Sequence, residues 1–206
     1  MKYKEYQFFL EADRLIAGRP VNSLKVRVKR FFGIVSYIES FMRLLRKLEY
    51  LDQKISIIDR LTNILVKRKF DRLSLKLGFS IPINVFGPGL YIPHYGTIVV
   101  NPNAKVGKNC VLHTSTCIAG SEKKNIGDNV YISTGVIISG ETDIASNTTI
   151  SANSLVNKPF LTMNLLIGGT SAKPIKLRPV WFECEGHERF ALAVEQIDHL
   201  HKSTFG

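Results

Sequence analysis

Residues 126–156 read IGDNVYISTGVIISGETDIASNTTISANSLV, and a branched aliphatic residue occupies every sixth position from Ile126 to Val156. An α-helix has a period near 3.6 residues and a simple strand a period of 2, so a sustained period of six fits neither alone. It fits short parallel strands that are separated by turns and stacked as a β-helix solenoid. The same phase extends back to residue 86. The large apolar residues that carry it are Phe86, Ile92, Ile98, Val106, Leu112, Ile118, Ile126, Ile132, Ile138, Ile144, Ile150 and Val156.

Two interruptions of the period predict loops. The spacing is eight instead of six between Ile98 and Val106 and between Ile118 and Ile126, so each interruption adds two residues. Turn-forming and charged residues fill both places, as expected of exposed loops. They are Asn101, Pro102 and Asn103 in the first loop and Ser121, Glu122, Lys123, Lys124 and Asn125 in the second.

The repeats predict a three-sided prism. Three hexapeptides make one triangular coil of roughly 18 residues, with one flat face for each hexapeptide. The large apolar residue of each hexapeptide points into the prism and stacks on its counterpart one coil away. About three or more coils must stack before such a domain is stable. The twelve hexapeptides predict four coils, which is enough.

Helical patterns flank the repeats on both sides. Residues 1 to about 17 predict a short helix, and apolar stripes at spacings of three and four predict further helices up to about Leu77 and from about His187 to Lys202. We expect an N-terminal helical subdomain (1–78), a β-helix domain (79–175) and a C-terminal extension with a helix (176–206). The stripes of the N-terminal subdomain are Phe31, Ile34, Ile38, Phe41, Leu45 and Leu48, followed by Leu51, Ile55, Ile58, Leu61 and Leu65.

The positive charge lies almost entirely in this N-terminal region. Residues 1–80 hold 18 of the 28 Lys and Arg but only 8 of the 17 Asp and Glu, so they carry ten of the eleven net positive charges. Such a block is most often a solvated helical face, and it can also attract an anionic membrane surface. No nucleic-acid-binding motif accompanies it. We expect the helices to cover the open edge of the solenoid and to pack against other copies, with peripheral membrane contact as the alternative.

Several classes of protein are not indicated. Cys110, Cys117 and Cys184 make neither a disulfide framework nor a metal knuckle. The N-terminus lacks the apolar run of a signal peptide, and the longest apolar stretch, residues 31–38, is too short to cross a bilayer. We therefore expect a cytoplasmic protein, with the inner face of the membrane as a further location. The sequence has no Gly-x-Ser-x-Gly elbow, phosphate loop or dinucleotide fingerprint.

His94 and His113 are the candidate catalytic residues. His94 lies two residues after the inward Ile92, and His113 one residue after the inward Leu112, so both are expected near a corner or on an outer face. Neutral imidazole near pH 7 is well suited to take a proton from a hydroxyl group. A lone histidine is more often an ordinary surface residue, and two histidines are too few for a zinc site.

At these residues the sequence resembles the hexapeptide-repeat acyltransferases, in particular the serine O-acetyltransferase-like branch. Residues 87–96, GPGLYIPHYG, resemble the family's Ile-Gly-x-Gly-x-x-Ile-x-His-x-x-Gly element, in which the histidine is the general base. Residues 112–120, LHTSTCIAG, resemble its Leu-His-x-Val-Thr-Leu-Gly-Gly element, and residues 169–174, GTSAKP, its closing Gly-x-Pro-Ala-Lys element. The likeness implies a mainly β fold, a left-handed parallel β-helix of hexapeptide repeats with an N-terminal α-helical subdomain and a C-terminal helix.

The resemblance also implies an acetyl-CoA-dependent O-acetyltransferase that uses no metal and forms a homotrimer or a dimer of trimers, with active sites between subunits. His94 would be the general base, and His113 would orient the acceptor. Backbone N–H groups of the coils would hold the developing oxyanion. The residues that would bind the coenzyme are Gly120, Ser133, Thr134, Gly135, Ala152 and Lys173, with Lys158 as a further contact to its phosphates.

Some residues depart from the pattern of serine acetyltransferases. Pro93 and Phe79 occupy positions at which that family carries aspartates, and residues 119–125 replace its Gly-Gly-Thr-Gly-Lys loop. Residues 80–84, SIPIN, look more like relatives that acetylate sugar hydroxyls during surface polysaccharide assembly. The favoured acceptor is therefore a glycan, a sugar hydroxyl of a capsule, exopolysaccharide or lipopolysaccharide unit. The alternatives are free serine, as in cysteine biosynthesis, and a catalytically silent β-helix scaffold.

Overall fold

The computed structural model describes residues 1–19 and 36–206 of the chain. Phe31 and Ile34, the first two residues of the predicted helical stripe, lie outside the described residues. The predicted β-helix is present, and short strands follow one another from residue 79 to residue 177. The strands are β1 (Phe79–Ser80), β2 (Ile98–Val100), β3 (Ala104–Val106), β4 (Val111–Leu112), β5 (Thr116–Ile118), β6 (Lys124–Ile126), β7 (Tyr131–Ile132), β8 (Ile137–Ile138), β9 (Thr142–Ile144), β10 (Thr149–Ile150), β11 (Leu155–Val156), β12 (Leu165–Gly168) and β13 (Lys173–Leu177).

These strands form the three faces of the prism. The first face has the order β1-β2-β5-β8-β11, the second β3-β6-β9, and the third β4-β7-β10-β12-β13. Neighbouring strands are parallel and in register, as Ile118 opposite Ile138 and Ile126 opposite Ile144 show. The exception is β13, which runs antiparallel to β12 at the end of the third face. The predicted fold class, a solenoid of hexapeptide repeats between N-terminal helices and a C-terminal helix, is thus confirmed.

The inward positions are those that the period of six predicts. The twelve large apolar residues that carry the period are all buried, with exposed fractions of 4% or less. The solenoid is longer than the four predicted coils, because Phe79 in β1 and Phe160, which bridges to Ile144, add layers at its two ends. These two phenylalanines fill inward positions outside the regular run of hexapeptides, so the period did not reveal them.

Lys124 corrects one detail of the second predicted loop. It was expected to be an exposed loop residue, but it belongs to β6, and its side chain is fully buried. Because side chains alternate along a strand, Lys124 points to the same side as Ile126, toward the interior. Its ammonium group donates a hydrogen bond to the carbonyl oxygen of Glu122 at 3.2 Å and lies 3.5 Å from the carboxylate of that residue. The exposed loop is therefore shorter than the sequence indicated.

Four α-helices lie in the described part of the chain. They are α1 (Tyr3–Ile16), α2 (Tyr37–Leu51), α3 (Ile57–Leu77) and α4 (Glu188–Phe205), and a short 3-10 helix (Trp181–Glu183) precedes α4. Gly78 ends α3 with a left-handed backbone, φ 77°, which glycine adopts without strain, and the chain enters β1 at the next residue. None of the helices in residues 1–19 and 36–206 is long and apolar enough to cross a membrane.

Helices cover one end and one face of the solenoid. Phe41 of α2 packs against Phe70 of α3 and against Phe79 of β1, with ring centroids 4.9 and 5.1 Å apart, so α2 and α3 cover the N-terminal edge. Helices α1 and α4 lie on the third face, where Phe8, Val111 and Ile197 share a hydrophobic cluster with Trp181. The edge strand β1 is thus protected from pairing with another chain, as the sequence interpretation of the helices required.

A buried polar cluster joins α1, α2 and the first coil. Arg46 of α2 is fully buried, and its Nε donates a hydrogen bond to the Asp13 carboxylate of α1 at 2.8 Å. Its other nitrogens donate to the Glu49 carboxylate at 2.9 Å and to the carbonyl oxygens of Phe86 and Gly87 at 2.8 and 2.7 Å. The guanidinium is therefore paired both with carboxylates and with the main chain of the solenoid, as a buried charge requires.

Candidate active site

His94 and His113 lie at the same corner of the prism, where the third face turns into the first. Tyr91 and Val111 pair across neighbouring coils, which aligns the inward residues Ile92 and Leu112 and the segments after them. The two imidazole rings are 6.3 Å apart, centroid to centroid. His94 is exposed and His113 is half-buried. We call this place the histidine corner.

Tyr131 fixes the position of His113. The tyrosine lies one coil further on, in β7, and its hydroxyl oxygen is 2.7 Å from Nε2 of His113. Burial, and to a smaller extent the neighbouring His94 ring, holds the pKa of His113 below its ordinary value. Burial raises the pKa of the Tyr131 hydroxyl, and the nearby Arg178 guanidinium opposes that shift. The corner thus has a neutral, oriented imidazole beside an exposed one.

The exposed ring of His94 is free to meet a substrate. Within residues 1–19 and 36–206 it accepts or donates no hydrogen bond, so no described carboxylate orients it. Phe79, which stands where serine acetyltransferases carry an aspartate, is instead buried in the core with its ring edge-on to Phe41. Any group that orients His94 therefore lies outside the described residues of this chain.

Five of the predicted coenzyme residues lie along the histidine corner or beside it. Ser133 and Thr134 follow Ile132 of the third face, and Ala152 follows Ile150 one coil further on. Gly135 comes next, and its amide donates to the Thr114 carbonyl of the previous coil at 3.2 Å. Exposed Lys173 pairs in register with Gly168, the residue that follows Ile167 of the third face.

Gly120 is not brought to the histidine corner. It follows Ile118 of the first face, so it lies at the next corner of the prism, where its carbonyl oxygen accepts a hydrogen bond from the Asn101 side chain. Lys158 is exposed beyond the end of β11, with its ammonium group over the ring of Phe160. Both residues follow strands of the first face, whereas the histidines follow the third face, so within one subunit they lie at different corners of the prism.

Sequence reasoning missed three residues around the corner: Tyr131, Arg178 and Trp181. Tyr131 directly precedes the inward residue Ile132, and the period of six assigns no partner to its side chain. Its separation of 18 residues from His113 is about one coil, and a search for polar pairs at that separation could have found it. Arg178 and Trp181 follow the end of the repeats, where no period predicts their position.

The described residues offer no evident metal site. In residues 1–19 and 36–206, no three His, Cys, Asp or Glu side chains lie close enough together to hold a metal ion. The chemistry that the corner itself supports is proton transfer, because one imidazole is solvent-accessible and the second is held neutral beside it.

Comparisons with known proteins agree with this architecture. No protein-family model matches the chain. A serine acetyltransferase of Staphylococcus aureus (strain Mu50) is 30% identical over 109 residues, which are 50% of this chain and 49% of the relative. The solved serine acetyltransferase of Brucella abortus strain S19 superposes with a TM-score of 0.63 at 21% identity, over 86% of this chain and 72% of that one. A solved serine acetyltransferase in complex with CoA gives a TM-score of 0.51 at 17% identity, over 66% and 57% of the two chains.

The chain therefore shares the fold of the solved serine acetyltransferases, and about half of it resembles a serine acetyltransferase in sequence. The chain spans about half the length of the curated relative that it matches.

The preference for a sugar acceptor is wrong. The matching relatives and the solved structures are serine acetyltransferases, and this supports the alternative acceptor, free serine, over a surface polysaccharide or another glycan. The preference rested on the likeness of residues 80–84 to sugar-acetylating relatives and on the departures at Pro93, Phe79 and residues 119–125. None of these residues is itself a contact that recognises a sugar.

Proposed function

We propose that the chain is an acetyl-CoA-dependent serine O-acetyltransferase and makes O-acetylserine for cysteine biosynthesis. The observation that carries this proposal is the exposed His94, which follows a buried coil residue in the segment that resembles the catalytic element of the serine acetyltransferases. The serine acetyltransferases with which the chain shares its fold, one of them in complex with CoA, support the choice of acetyl donor and acceptor.

In this mechanism His94 is the general base. Its imidazole takes the proton of the serine hydroxyl while the hydroxyl oxygen attacks the thioester carbonyl carbon. When the carbon–sulfur bond breaks, the imidazolium returns the proton to the leaving thiolate, so the base is restored. Backbone N–H groups at the corner would stabilise the oxyanion of the tetrahedral intermediate.

His113 has the role of orienting the acceptor. Since the Tyr131 hydroxyl engages Nε2 and burial favours the neutral ring, His113 offers a fixed hydrogen-bonding group whose ring centroid is 6.3 Å from that of His94. It would contact the acceptor without taking its proton. This division of roles is supported by the difference between the two rings: His94 is exposed, whereas His113 is half-buried and hydrogen-bonded to Tyr131.

The coenzyme would lie along the histidine corner. Ser133, Thr134, Gly135 and Ala152 present small side chains there, so the pantetheine arm could approach the main chain closely. Lys173, exposed beside Gly168, would meet a phosphate as a point charge. Gly120 and Lys158 lie elsewhere on the same subunit and would reach the coenzyme only from a neighbouring copy.

We also propose a homotrimer with active sites between subunits. It would explain why His94 has no orienting partner among the described residues of its own chain, since an adjacent copy could supply one. Helix α3 carries three exposed apolar residues, Ile57, Ile58 and Leu61, with exposed fractions of 76, 75 and 60%. We assign this face to contact with another copy. Retention of the protein on anionic phospholipid vesicles would favour the membrane contact instead.

The decisive experiment measures release of free coenzyme A thiol from acetyl-CoA by the purified full-length protein. Turnover is expected with L-serine and not with threonine, a nucleotide sugar or water. His94→Asn should lower kcat by about 10²- to 10⁴-fold, the usual contribution of a general base. His199→Asn is the matched control, because His199 is exposed on α4 and has no role in the proposed reaction.

The possible outcomes separate the alternatives. Turnover by His94→Asn at the wild-type rate would remove His94 from the mechanism. Turnover with the nucleotide sugar but not with serine would overturn the proposed acceptor. Absence of both turnover and acetyl-CoA binding in calorimetry would favour a non-catalytic scaffold.

A further inference from the structure

A cavity of about 320 Å³ lies between the third face of the solenoid and the segment that leads into α4. Its floor is formed by β7 and β10, and residues that follow β13 close it from above. This volume suits a small molecule or part of a larger one. The residues that define its chemistry are Tyr131, Thr149, Ser151, Arg178, Trp181 and His187.

Two residues of this cavity have buried polar atoms without a hydrogen-bond partner. Thr149 and Trp181 are only 6 and 2% exposed, and neither the Thr149 hydroxyl nor the indole Nε1 has a partner among the described residues. A buried polar group without a partner typically costs about 1–3 kcal/mol. Two such groups beside one cavity are therefore candidate contacts for a bound ligand.

The cavity is lined by hydrogen-bond donors and positive charge. The indole N–H can only donate, hydroxyl groups can donate, and the Arg178 guanidinium is a permanent cation. Of the described residues that line the cavity, none is an aspartate or glutamate. The Nε of Arg178 donates to the Cys184 sulfur at 3.3 Å, and this contact does not use the two outer nitrogens of the guanidinium. Such a lining is complementary to a group that only accepts hydrogen bonds and carries negative charge.

We propose that this cavity binds a small oxyanion, a carboxylate or a phosphate, through the Arg178 guanidinium, the Trp181 indole N–H and the Thr149 hydroxyl. The cavity adjoins the histidine corner. Its lining also includes Ser133 and Ala152, which are assigned above to the coenzyme, and Tyr131, whose hydroxyl contacts His113. An anion there would lie next to the residue that positions His113.

Trp181 allows a direct test, because it is the only tryptophan of the chain. Its fluorescence is followed while the full-length protein is titrated with sodium acetate or with inorganic phosphate, at constant ionic strength set by sodium chloride. The expected result is a saturable change in emission with at least one of the two anions. Acetate alone would identify the ligand as a carboxylate, and phosphate alone as a phosphate. Either result supports the site.

Variants tie the signal to the cavity. Arg178→Gln should weaken the affinity at least tenfold, whereas Arg68→Gln, which removes the same charge from the exposed surface of α3, should leave it unchanged. Thr149→Val keeps the shape of the side chain and removes its hydroxyl, so it tests the site even if Arg178→Gln does not fold. The affinity of Thr149→Val for the anion should fall by a smaller factor than the affinity of Arg178→Gln.

Two results would overturn the proposal. A wild-type emission that neither anion changes would mean that ordered water alone satisfies the two atoms. Equal affinity in wild type, Arg178→Gln and Thr149→Val would mean that anions bind elsewhere. Because the titration contains neither acetyl-CoA nor serine, its outcome is independent of the proposed enzymatic activity.

Discussion

Asp13 and Arg46 form a buried ion pair that fastens the N-terminal helices to the first coil of the solenoid. Arg46 Nε lies 2.8 Å from one carboxylate oxygen of Asp13, and the other oxygen accepts hydrogen bonds from the main-chain N–H groups of Gly89 and Leu90 at 2.9 Å each. His94 follows Leu90 by four residues. The helices are therefore joined to the segment that carries the proposed base.

Removal of one member of this pair should strongly destabilise the protein. Arg46→Gln leaves the Asp13 carboxylate buried without its cation, and such changes cost about 3–5 kcal/mol. The free energy of unfolding by urea measures the effect. Lys67→Gln is the control, because Lys67 pairs with Asp71 on the exposed surface of α3, where loss of the pair should be hard to detect. Equal losses in the two variants would show that the buried pair contributes no more than a surface pair.

Two adjacent isoleucines of β8 should differ sharply in their contribution to stability. Ile138 points into the prism and is 0% exposed, whereas Ile137 points outward and is 44% exposed. Ile138→Ala should cost about 2–5 kcal/mol, because it leaves a cavity in the stack of the first face. Ile137→Ala should cost clearly less. Urea unfolding of both variants checks the prediction, and a larger loss for Ile137→Ala would contradict the assigned direction of the side chains.

A ladder of asparagines stabilises one corner of the solenoid. The side-chain amides of Asn109, Asn129, Asn147 and Asn164 are joined in sequence by hydrogen bonds of 2.9 to 3.0 Å. Asn129 has a φ of 58°, in the left-handed region that most residues avoid. Asn129→Ala should therefore be destabilised in two ways: the side-chain hydrogen bonds are lost, and alanine is strained in the left-handed backbone conformation. Asn129→Gly loses only the hydrogen bonds, so it should remain more stable than Asn129→Ala by roughly 1 kcal/mol.

Thermal or urea unfolding of the two Asn129 variants separates these contributions. If Asn129→Ala were as stable as Asn129→Gly, the left-handed backbone would not be part of the stabilisation. If both variants matched the wild type, the hydrogen bonds of the ladder would contribute nothing.

Stability should fall in mild acid because of His113. Burial lowers the pKa of His113 in the folded state, so the unfolded chain binds a proton at a higher pH than the native protein does. As the pH falls through the ordinary histidine value of about 6.5, protonation therefore favours unfolding, and this effect is complete below the native pKa. Urea unfolding at a series of pH values should show a weaker dependence for His113→Gln than for wild type. Identical dependences would exclude His113 as the source.

Much of the fold could be predicted because the interior of a β-helix repeats. Each inward residue, such as Ile132, meets a like residue one coil away, so a single period encodes both the local structure and its long-range partner. Phe79 and Phe160 escaped that prediction, since each packs as a single aromatic residue at an end of the stack. Lys124 escaped it as well, because a lysine gives no sign in the sequence that its charge can be satisfied locally by Glu122.

The candidate site was only partly predictable. The spacing of His94 and His113 from their inward neighbours predicted that each lies near a corner or on an outer face, and the structure brings them to the same corner. The partners that determine their environment, Tyr131 and Arg178, come from other coils and from the segment after the repeats, and no local pattern connects them. The identity of the acceptor could not be predicted from the sequence either. The residues that stand in place of the aspartates of serine acetyltransferases indicate a missing contact but no recognisable new one.

The reversed direction of β13 has a consequence for assembly. A solenoid that ended in a bare parallel strand could be continued by the first strand of another molecule, and repetition of that contact would build a fibre. Here the terminal strand of the third face runs the opposite way and contains Pro174, which has no N–H to donate to a pairing strand. The third face at this end, and the N-terminal edge that Phe41 and its helix cover at the other, are thus protected from end-to-end pairing.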